Sequence, residues 1–560
     1  MEPPLIRGRI AQPQSVIFWG AGATRELGIR TTAQQEEFIH CITDANASGE
    51  TLKKRVKKAL GSHVAKPWHD ALFDMITILG DTDAAYGSIN HIDSEQLDAM
   101  RRNWRAGANK EELYRRIIEL RLFYDWPALK SVTSICPGSK TGKFKLNDLF
   151  NLLDMHIPPG FGVRAPAHQA PPDKRPGEQF FDARRLIGAK NALLMILIAS
   201  FYIDYQVCIA SNQKVLRQYY EFAKALGRRM QRQASDLSDH YRLDQPEFYQ
   251  GDVGFVSLNY DPIALWVQFV ANRELNRDKH VPRVGSPLEP LHLFHDFGHL
   301  IPARRIGKGD ADWPWYPLNE AAAQRLNESK KGVDYRVRLT KFLFPHGCLC
   351  WRECPDCGKL SAYHGDEWDL GAPGLFPPPP LRAFDRRKCA ARIPQTERDQ
   401  RKKGKIDARR CLHCGTLTYT HHTQALMQSS FKPRLPSFIE EIQRELRATT
   451  MQASHIIFMG YSLPPDDVTY RAFFSARRQR SWPAVHCTVV NKDKQNPGWY
   501  RPIDLKTRDF AESSPVKAAC DIFGEENVRY YGGGIPEVFL DGDKVTDAKL
   551  EQLLTWNSVS

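Results

Sequence analysis

The sequence predicts an α/β protein in which a parallel sheet is interrupted early by a large helical insertion and later carries a small cysteine-bearing module. Three observations predict it. Five short apolar runs, Val16–Trp19, Gly254–Leu258, Thr340–Phe344, His455–Met459 and Val485–Val490, each lead within two residues into glycine, histidine or asparagine. Strands buried on both faces read this way, and their carboxyl ends are where open α/β sheets bind ligands. From Thr32 to about Leu243 the apolar residues recur instead at helical spacing, as in Glu111–Leu122. Two C-x-x-C pairs, Cys354/Cys357 and Cys411/Cys414, each followed by glycine, supply four thiolates suited to one tetrahedral structural zinc.

Composition narrows the setting. The chain has 560 residues, 42% of them apolar, enough for about two to four domains with sizeable cores. Its 12 cysteines are too sparse for a disulfide framework, and pairing four in knuckles fits a reducing interior. Met1–Arg7 lacks the apolar core of a signal peptide, so the cytoplasm is the expected address. The longest apolar run, Ala192–Ile203, contains Ser200 and is closed by Lys190 and Asp204; it is too short to span a bilayer and reads as a core helix. A formal charge of +13, with clusters at Arg401–Lys403, Arg409–Arg410 and Arg477–Arg478, would attract nucleic acid if gathered on one face. It is otherwise an ordinary solvated surface.

Each element follows in order. The first strand runs directly into Gly20-Ala21-Gly22, where missing side chains let a pyrophosphate approach backbone N–H groups; the third glycine of G-x-G-x-x-G is absent, because position 25 is Arg. The insertion holds further helices around 183–205 and 213–235, broken at Cys136–Ser139 and by the Pro- and Gly-rich stretch 158–176. The second strand ends in Asn259 and Asp261, which can orient a ribose, a water or a carboxamide but can equally cap the helix that starts at Ile263. His292, His295 and His299 have the spacing of one helical face, but Gly298 and the flanking prolines argue against a helix, and they read as structural or surface histidines. The third strand delivers His346 and then the first knuckle. The second knuckle is separated from Cys357 by 53 intervening residues, beyond the usual interval of roughly 15–20. The gap holds Pro377–Pro380 and the basic stretch Arg392–Arg410 and is read as an excursion. A helix over about Ser437–Thr450 precedes the fourth strand, which ends in Gly460 and Ser462; the fifth ends in Asn491, and Asn527–Tyr531 suggests a last strand.

In this order, G-A-G, Asn-x-Asp, His-Gly, two C-x-x-C knuckles, Gly-x-Ser and a late Asn, the chain resembles the sirtuin family over about 16–32 and 253–495. The resemblance implies a Rossmann-type NAD-binding domain and a zinc-ribbon module with the cofactor between them. Gly20, Ala21 and Gly22 would then line the diphosphate and ribose. Asn259 would position water or ribose, Asp261 would hold the nicotinamide carboxamide, and His346 would be the catalytic base. Gly460 and Ser462 match the family's Gly-Thr-Ser, with Tyr461 in place of the threonine, and Asn491 matches its adenosine-side Asn. The corresponding division is 1–32, 241–346 and 431–545 for the Rossmann-type domain, 33–240 for the helical insertion, 347–430 for the zinc ribbon and 546–560 for a tail.

The departures refine the expectation. Sirtuin deacylases follow their G-A-G with Gly-Ile-Pro-Asp-Phe-Arg; here Gly28-Ile29 runs into Arg30-Thr31-Thr32, and Leu258 replaces the Gln before the catalytic Asn. With its large insertion the chain looks like the sirtuin-like NAD⁺-hydrolysing effectors of bacterial antiphage defence, which deplete cellular NAD. That resemblance implies NAD⁺ as substrate, Zn²⁺, self-assembly into a homo-oligomer, and a HerA-type ATPase or an argonaute-like protein as partner subunit. Two other readings use the same motifs: a protein-lysine deacylase, and a non-catalytic module that senses NAD or ADP-ribose and binds nucleic acid.

Overall fold

Near-continuous runs of Val, Ile and Phe cannot leave a face in water, and in the computed structural model they form the middle of one large sheet. The model describes residues 12–44, 47–80, 123–166, 177–299, 319–328, 334–354, 357–358, 360–362, 422–425, 435–465, 467–479, 484–508, 510–512 and 514–556. Cys411, Cys414, Glu111–Leu122, Pro377–Pro380 and the basic stretch 392–410 lie outside the described residues.

The described strands, in chain order, are β1 (Ser15–Trp19), β2 (Val163–Pro166), β3 (Glu178–Phe181), β4 (Val253–Ser257), β5 (Arg283–Val284), β6 (Glu289–Asp296), β7 (Arg336–Leu343), β8 (Gly347–Glu353), β9 (Leu360–Ala362), β10 (His422–Ala425), β11 (His455–Met459), β12 (His486–Val490), β13 (Trp499–Tyr500), β14 (Val528–Tyr531), β15 (Leu540–Asp541) and β16 (Lys544–Val545). Nine of them form one mixed sheet in the order β13-β14-β12-β11-β1-β4-β7-β6-β5. Every pairing from β14 through to β6 is parallel, and the short edge strands β13 and β5 are antiparallel. All five strands expected from sequence are therefore consecutive neighbours, β12-β11-β1-β4-β7, with their carboxyl ends on one edge. The chain fills the β4 side of β1 first and then crosses to the β11 side, so strand order reverses between β1 and β11. A smaller antiparallel sheet, β10-β8-β9, follows β7.

Two large apolar cores stand out among the described residues. One surrounds the sheet; the other gathers Phe38 to Ile203 within the insertion. The helix Ala183–Ser211 joins them, giving residues such as Leu186, Leu193, Leu197 and Ile203 to the insertion's core and Ile198, Phe201, Tyr202, Tyr205 and Cys208 to the sheet's. At 29 residues it is longer than its apolar run, and by length and composition alone it could cross a membrane. Its most apolar window is 83% buried inside the protein, which explains apolar residues all around its middle. The next helix, Gln213–Ser238, shows the opposite pattern: Leu216, Tyr219, Phe222, Ala223, Leu226 and Met230 form one buried stripe. That stripe packs on the sheet's own helix Ile263–Arg277.

The histidine trio is a strand feature. His292 and His295 lie in β6 and, three residues apart, face opposite sides of it. His292 stacks on Tyr335 at 4.6 Å and His295 is fully buried beside Phe342. His299, beyond the strand, contacts Glu441 at 2.5 Å. Of the Arg477–Arg478 pair only Arg478 is exposed. Arg477 is completely buried and donates from Nε and Nη2 to the Ala453 carbonyl at 3.0 and 2.8 Å, at the end of the helix Ser437–Gln452.

At the amino-terminal edge, residues 546–560, which read as a tail, carry the helix Asp547–Leu554, whose Leu550, Leu553 and Leu554 are buried. Arg529 of β14 donates to the carbonyls of Gln552, Leu553, Thr555 and Trp556 at 2.9–3.2 Å, satisfying groups a helix end leaves unpaired. Its Nε donates to Thr488 Oγ1 at 2.7 Å, and Thr488 pairs at 2.6 Å with Nε2 of His455, whose Nδ1 reaches the Leu554 carbonyl at 2.9 Å. That chain needs a neutral imidazole. Burial first, then the Arg529 charge, pushes the His455 pKa down to about 3.

Candidate functional site

Glycine at the β1 turn is required by packing. Gly20 N–H donates to the Met459 carbonyl and Gly22 N–H to the Gly460 carbonyl, both at 2.9 Å, so the turns after β1 and β11 lie backbone to backbone. A Cβ on Gly20 would stand 2.5 Å from the Gly460 oxygen, and one on Gly460 would stand 2.2 Å from the Ala23 nitrogen. Gly460 also has φ +63°, which disfavours a side chain independently. These glycines close the crevice where strand order reverses. The helix that follows, Ala21–Arg25, has only five residues, and Ala21 is exposed at its start.

From β4 the chain delivers Asn259, 7% exposed, whose Nδ2 donates to the Gly20 carbonyl at 3.1 Å and meets Thr24 Oγ1 at 3.4 Å. Asp261, 3% exposed, accepts the Ile263 N–H at 3.1 Å through Oδ1, so it does serve the start of the helix Ile263–Arg277. Burial pushes its carboxyl up to about 6, against the opposing pull of the Ile263 N–H and the Asn259 side chain. With Nδ2 so engaged, Oδ1 is the atom of Asn259 that would accept from a water or a sugar hydroxyl.

His346 sits in the tight turn between β7 and β8, where Gly347 adopts φ +75° and its N–H returns to the Phe344 carbonyl at 2.9 Å. Its Nδ1 lies 3.3 Å from the carbonyl oxygen of Leu258, the residue before Asn259. A carbonyl only accepts, so Nδ1 carries the hydrogen and the lone pair of the neutral ring is on Nε2. The ring is 3% exposed, with Tyr470 edge-on at 5.2 Å and Tyr260 tilted at 6.2 Å. A second bond, from Leu349 N–H to the Tyr260 carbonyl at 2.9 Å, fastens the two segments together. Backbone and side-chain bonds thus connect His346, Asn259, Asp261, Gly20, Gly22 and Gly460, although 87 positions separate His346 from Asn259. Ser462 is exposed and Asn491 half-buried, the latter on the strand whose last carbonyl, Val490, accepts Gly460 N–H at 3.0 Å.

Sequence reasoning missed several neighbours. Thr24, Tyr260 and Tyr470 lie in no motif; Tyr260 could have been found as the residue between the two singled-out polar groups. Arg30, met in sequence only as a departure, donates from Nη1 to Ser200 Oγ at 2.6 Å and pairs with Asp204 at 3.3 Å, which ties the first βα turn to the insertion's long helix. Burial holds the Asp204 carboxyl up at about 6 despite that guanidinium.

Of the four knuckle cysteines, Cys354 and Cys357 are described. Cys354 is buried and Cys357 half-buried, and the Gly358 N–H donates to the Cys354 carbonyl at 2.8 Å, with Gly358 at φ +66°. Among the described residues no group of three or more His, Cys, Asp or Glu side chains has the arrangement of a metal site. No protein-family model and no curated protein sequence matches the chain.

Proposed function

We propose that the carboxyl edge of the sheet is a Rossmann-type, sirtuin-like nucleotide cleft that hydrolyses NAD⁺ to nicotinamide and ADP-ribose, in an effector that depletes cellular NAD. The observation that carries this reading is the linkage of His346 and Asn259. Two side chains singled out by their strand ends and by motif order are held through consecutive residues, Leu258 and Asn259, at the end of one strand.

In this reading the bond between ribose C1′ and the nicotinamide nitrogen breaks, its electron pair leaves with nicotinamide, and a water oxygen bonds to C1′ while its proton is released. Positive charge develops on the ribose as the bond opens. Nε2 of His346 draws on a ribose hydroxyl proton, Asn259 Oδ1 orients the water, and Asp261 receives the carboxamide. These contacts strengthen as charge develops, which is the condition for accelerating the step. Ionised Asp261 accepts from the carboxamide NH₂, and its raised pKa makes that state sensitive to pH near 6.

Zn²⁺ fits as a structural ion held by Cys354, Cys357, Cys411 and Cys414, cross-linking the module that carries β8–β10; four thiolates leave no open position for substrate. A homo-oligomer, a HerA-type ATPase or argonaute-like partner subunit, and contact with nucleic acid belong to the same proposal. The test is to incubate the full chain with NAD⁺, with and without nucleic acid and with and without an acyl-lysine peptide. ADP-ribose formed without peptide is the expected result. Peptide-dependent cleavage would make the protein a deacylase, and tight binding without cleavage would make it a sensor.

A further inference from the structure

We propose that the hydroxyl of Tyr470 is a nucleotide-binding group that donates a hydrogen bond to a ribose hydroxyl beside His346; this rests on the reading of the cleft given above. Tyr470 lies in the first turn of the helix Val468–Arg478, 2% exposed, with its ring edge-on to the His346 imidazole at 5.2 Å. Its oxygen is shut off from solvent and makes no hydrogen bond among the described residues. Other buried tyrosines nearby are satisfied: Tyr461 donates to Asp467 Oδ2 at 2.7 Å, and Tyr219 donates to the Ala23 carbonyl. A buried hydroxyl without a partner costs free energy that phenylalanine would avoid, so packing alone does not account for the oxygen.

The chain around it is strained as well. Leu463 is the one non-glycine residue with positive φ among those described, at +51°, and it is buried in the turn leaving β11. Its carbonyl accepts from Nη1 of Arg471, the residue after Tyr470, at 3.1 Å. A branched side chain rarely adopts that backbone conformation, and such residues persist where the surrounding structure over-determines them, as ligand clamps do. The Asp467 carboxylate and Tyr260 are the groups whose charge bears on the Tyr470 hydroxyl, and Asp467 already accepts from Tyr461. A hydroxyl held among these groups against the candidate base is satisfied when a sugar hydroxyl enters.

The experiment compares the full chain with its Tyr470→Phe variant by two readouts: affinity for NAD⁺ and for ADP-ribose by calorimetric titration, and Tm without ligand. The expected result is affinity weaker by on the order of tenfold for both ligands, with a ligand-free Tm equal to or above wild type. A ligand-free Tm below wild type would show a structural hydroxyl and overturn the proposal whatever the affinity. Equal affinity in the two proteins would overturn it alone and leave the cleft reading standing. If wild type binds neither nucleotide, the cleft reading itself fails and takes this inference with it.

Discussion

The two edges of the sheet are built on opposite terms. At the amino edge, Arg529, His455 and Ser15 spend hydrogen bonds on the C-terminal helix, with Thr488 linking Arg529 to His455, and Arg529 alone serves four carbonyls. At the carboxyl edge, Asp261 is a carboxyl raised to about 6, the Tyr470 hydroxyl bonds to nothing among the described residues, and Leu463 is held in the left-handed region. Unsatisfied buried groups occur at the amino edge too, Asp252 Oδ1 and His486 Nδ1 among them; the carboxyl edge differs in gathering such a group, a raised carboxyl and a left-handed Leu463 where the motifs converge. On the proposed reading the first set holds the sheet and the second meets a ligand, and the difference can be tested one edge at a time.

The largest effect on folding belongs to the amino edge. Arg529→Met leaves the carbonyls of the last helical turn without donors and lowers stability by about 3 kcal/mol. Denaturant titration measures this, and the folded fraction keeps its affinity for NAD⁺. An equal loss from substituting Tyr470 would erase the distinction between edges. Next is Gly460→Ala, whose Cβ meets the Ala23 backbone. It costs about 1–3 kcal/mol through overlap and strain, and because it parts the β1 and β11 turns it also weakens nucleotide binding.

The edges also differ in the sign of their pH dependence. His455 has a folded pKa of about 3 against about 6.5 unfolded, so between these values the unfolded chain binds the extra proton and stability falls as pH falls. Asp261 has a folded pKa of about 6 against roughly 3.9 unfolded. There the folded chain binds the extra proton, and that stability is lost as pH rises towards 6. Each slope is at most about 1.4 kcal/mol per pH unit. Stability of wild type relative to Asp261→Asn should therefore decline between pH 4 and 6, read from denaturant midpoints; a rise would contradict the assigned direction. The smallest effect is at the surface: Lys214 and Asp543, 71% and 73% exposed, pair to no more than about 0.5 kcal/mol, so Lys214→Ala should be close to silent.

Much of the carboxyl edge was legible in sequence because strands buried on both faces are unbroken apolar runs, and Val16–Trp19 or His455–Met459 has no competing helical reading. β6 was not: His292, Leu291, Leu293 and Phe294 mix polar and apolar residues in a strand covered on both faces, so neither period emerges. Arg477 reads as surface charge because an arginine pair carries no sign of the carbonyl it will meet across 24 positions. The Tyr470 hydroxyl was invisible for the converse reason, since its distinction is a missing bond. Gly20 and Gly22 were legible as glycines demanded by close backbone approach, but the backbone that approaches is Gly460, which only the fold brings there.

The most direct measurement is NAD⁺ cleavage by His346→Ala and Asn259→Ala beside wild type, under whatever nucleic acid or partner activates the wild-type chain. Both variants should fold, keep zinc and bind NAD⁺, yet form ADP-ribose more slowly by on the order of 10²–10⁴. Cleavage by either variant at a near wild-type rate would contradict its place in the reaction, leaving that strand end a binding edge only.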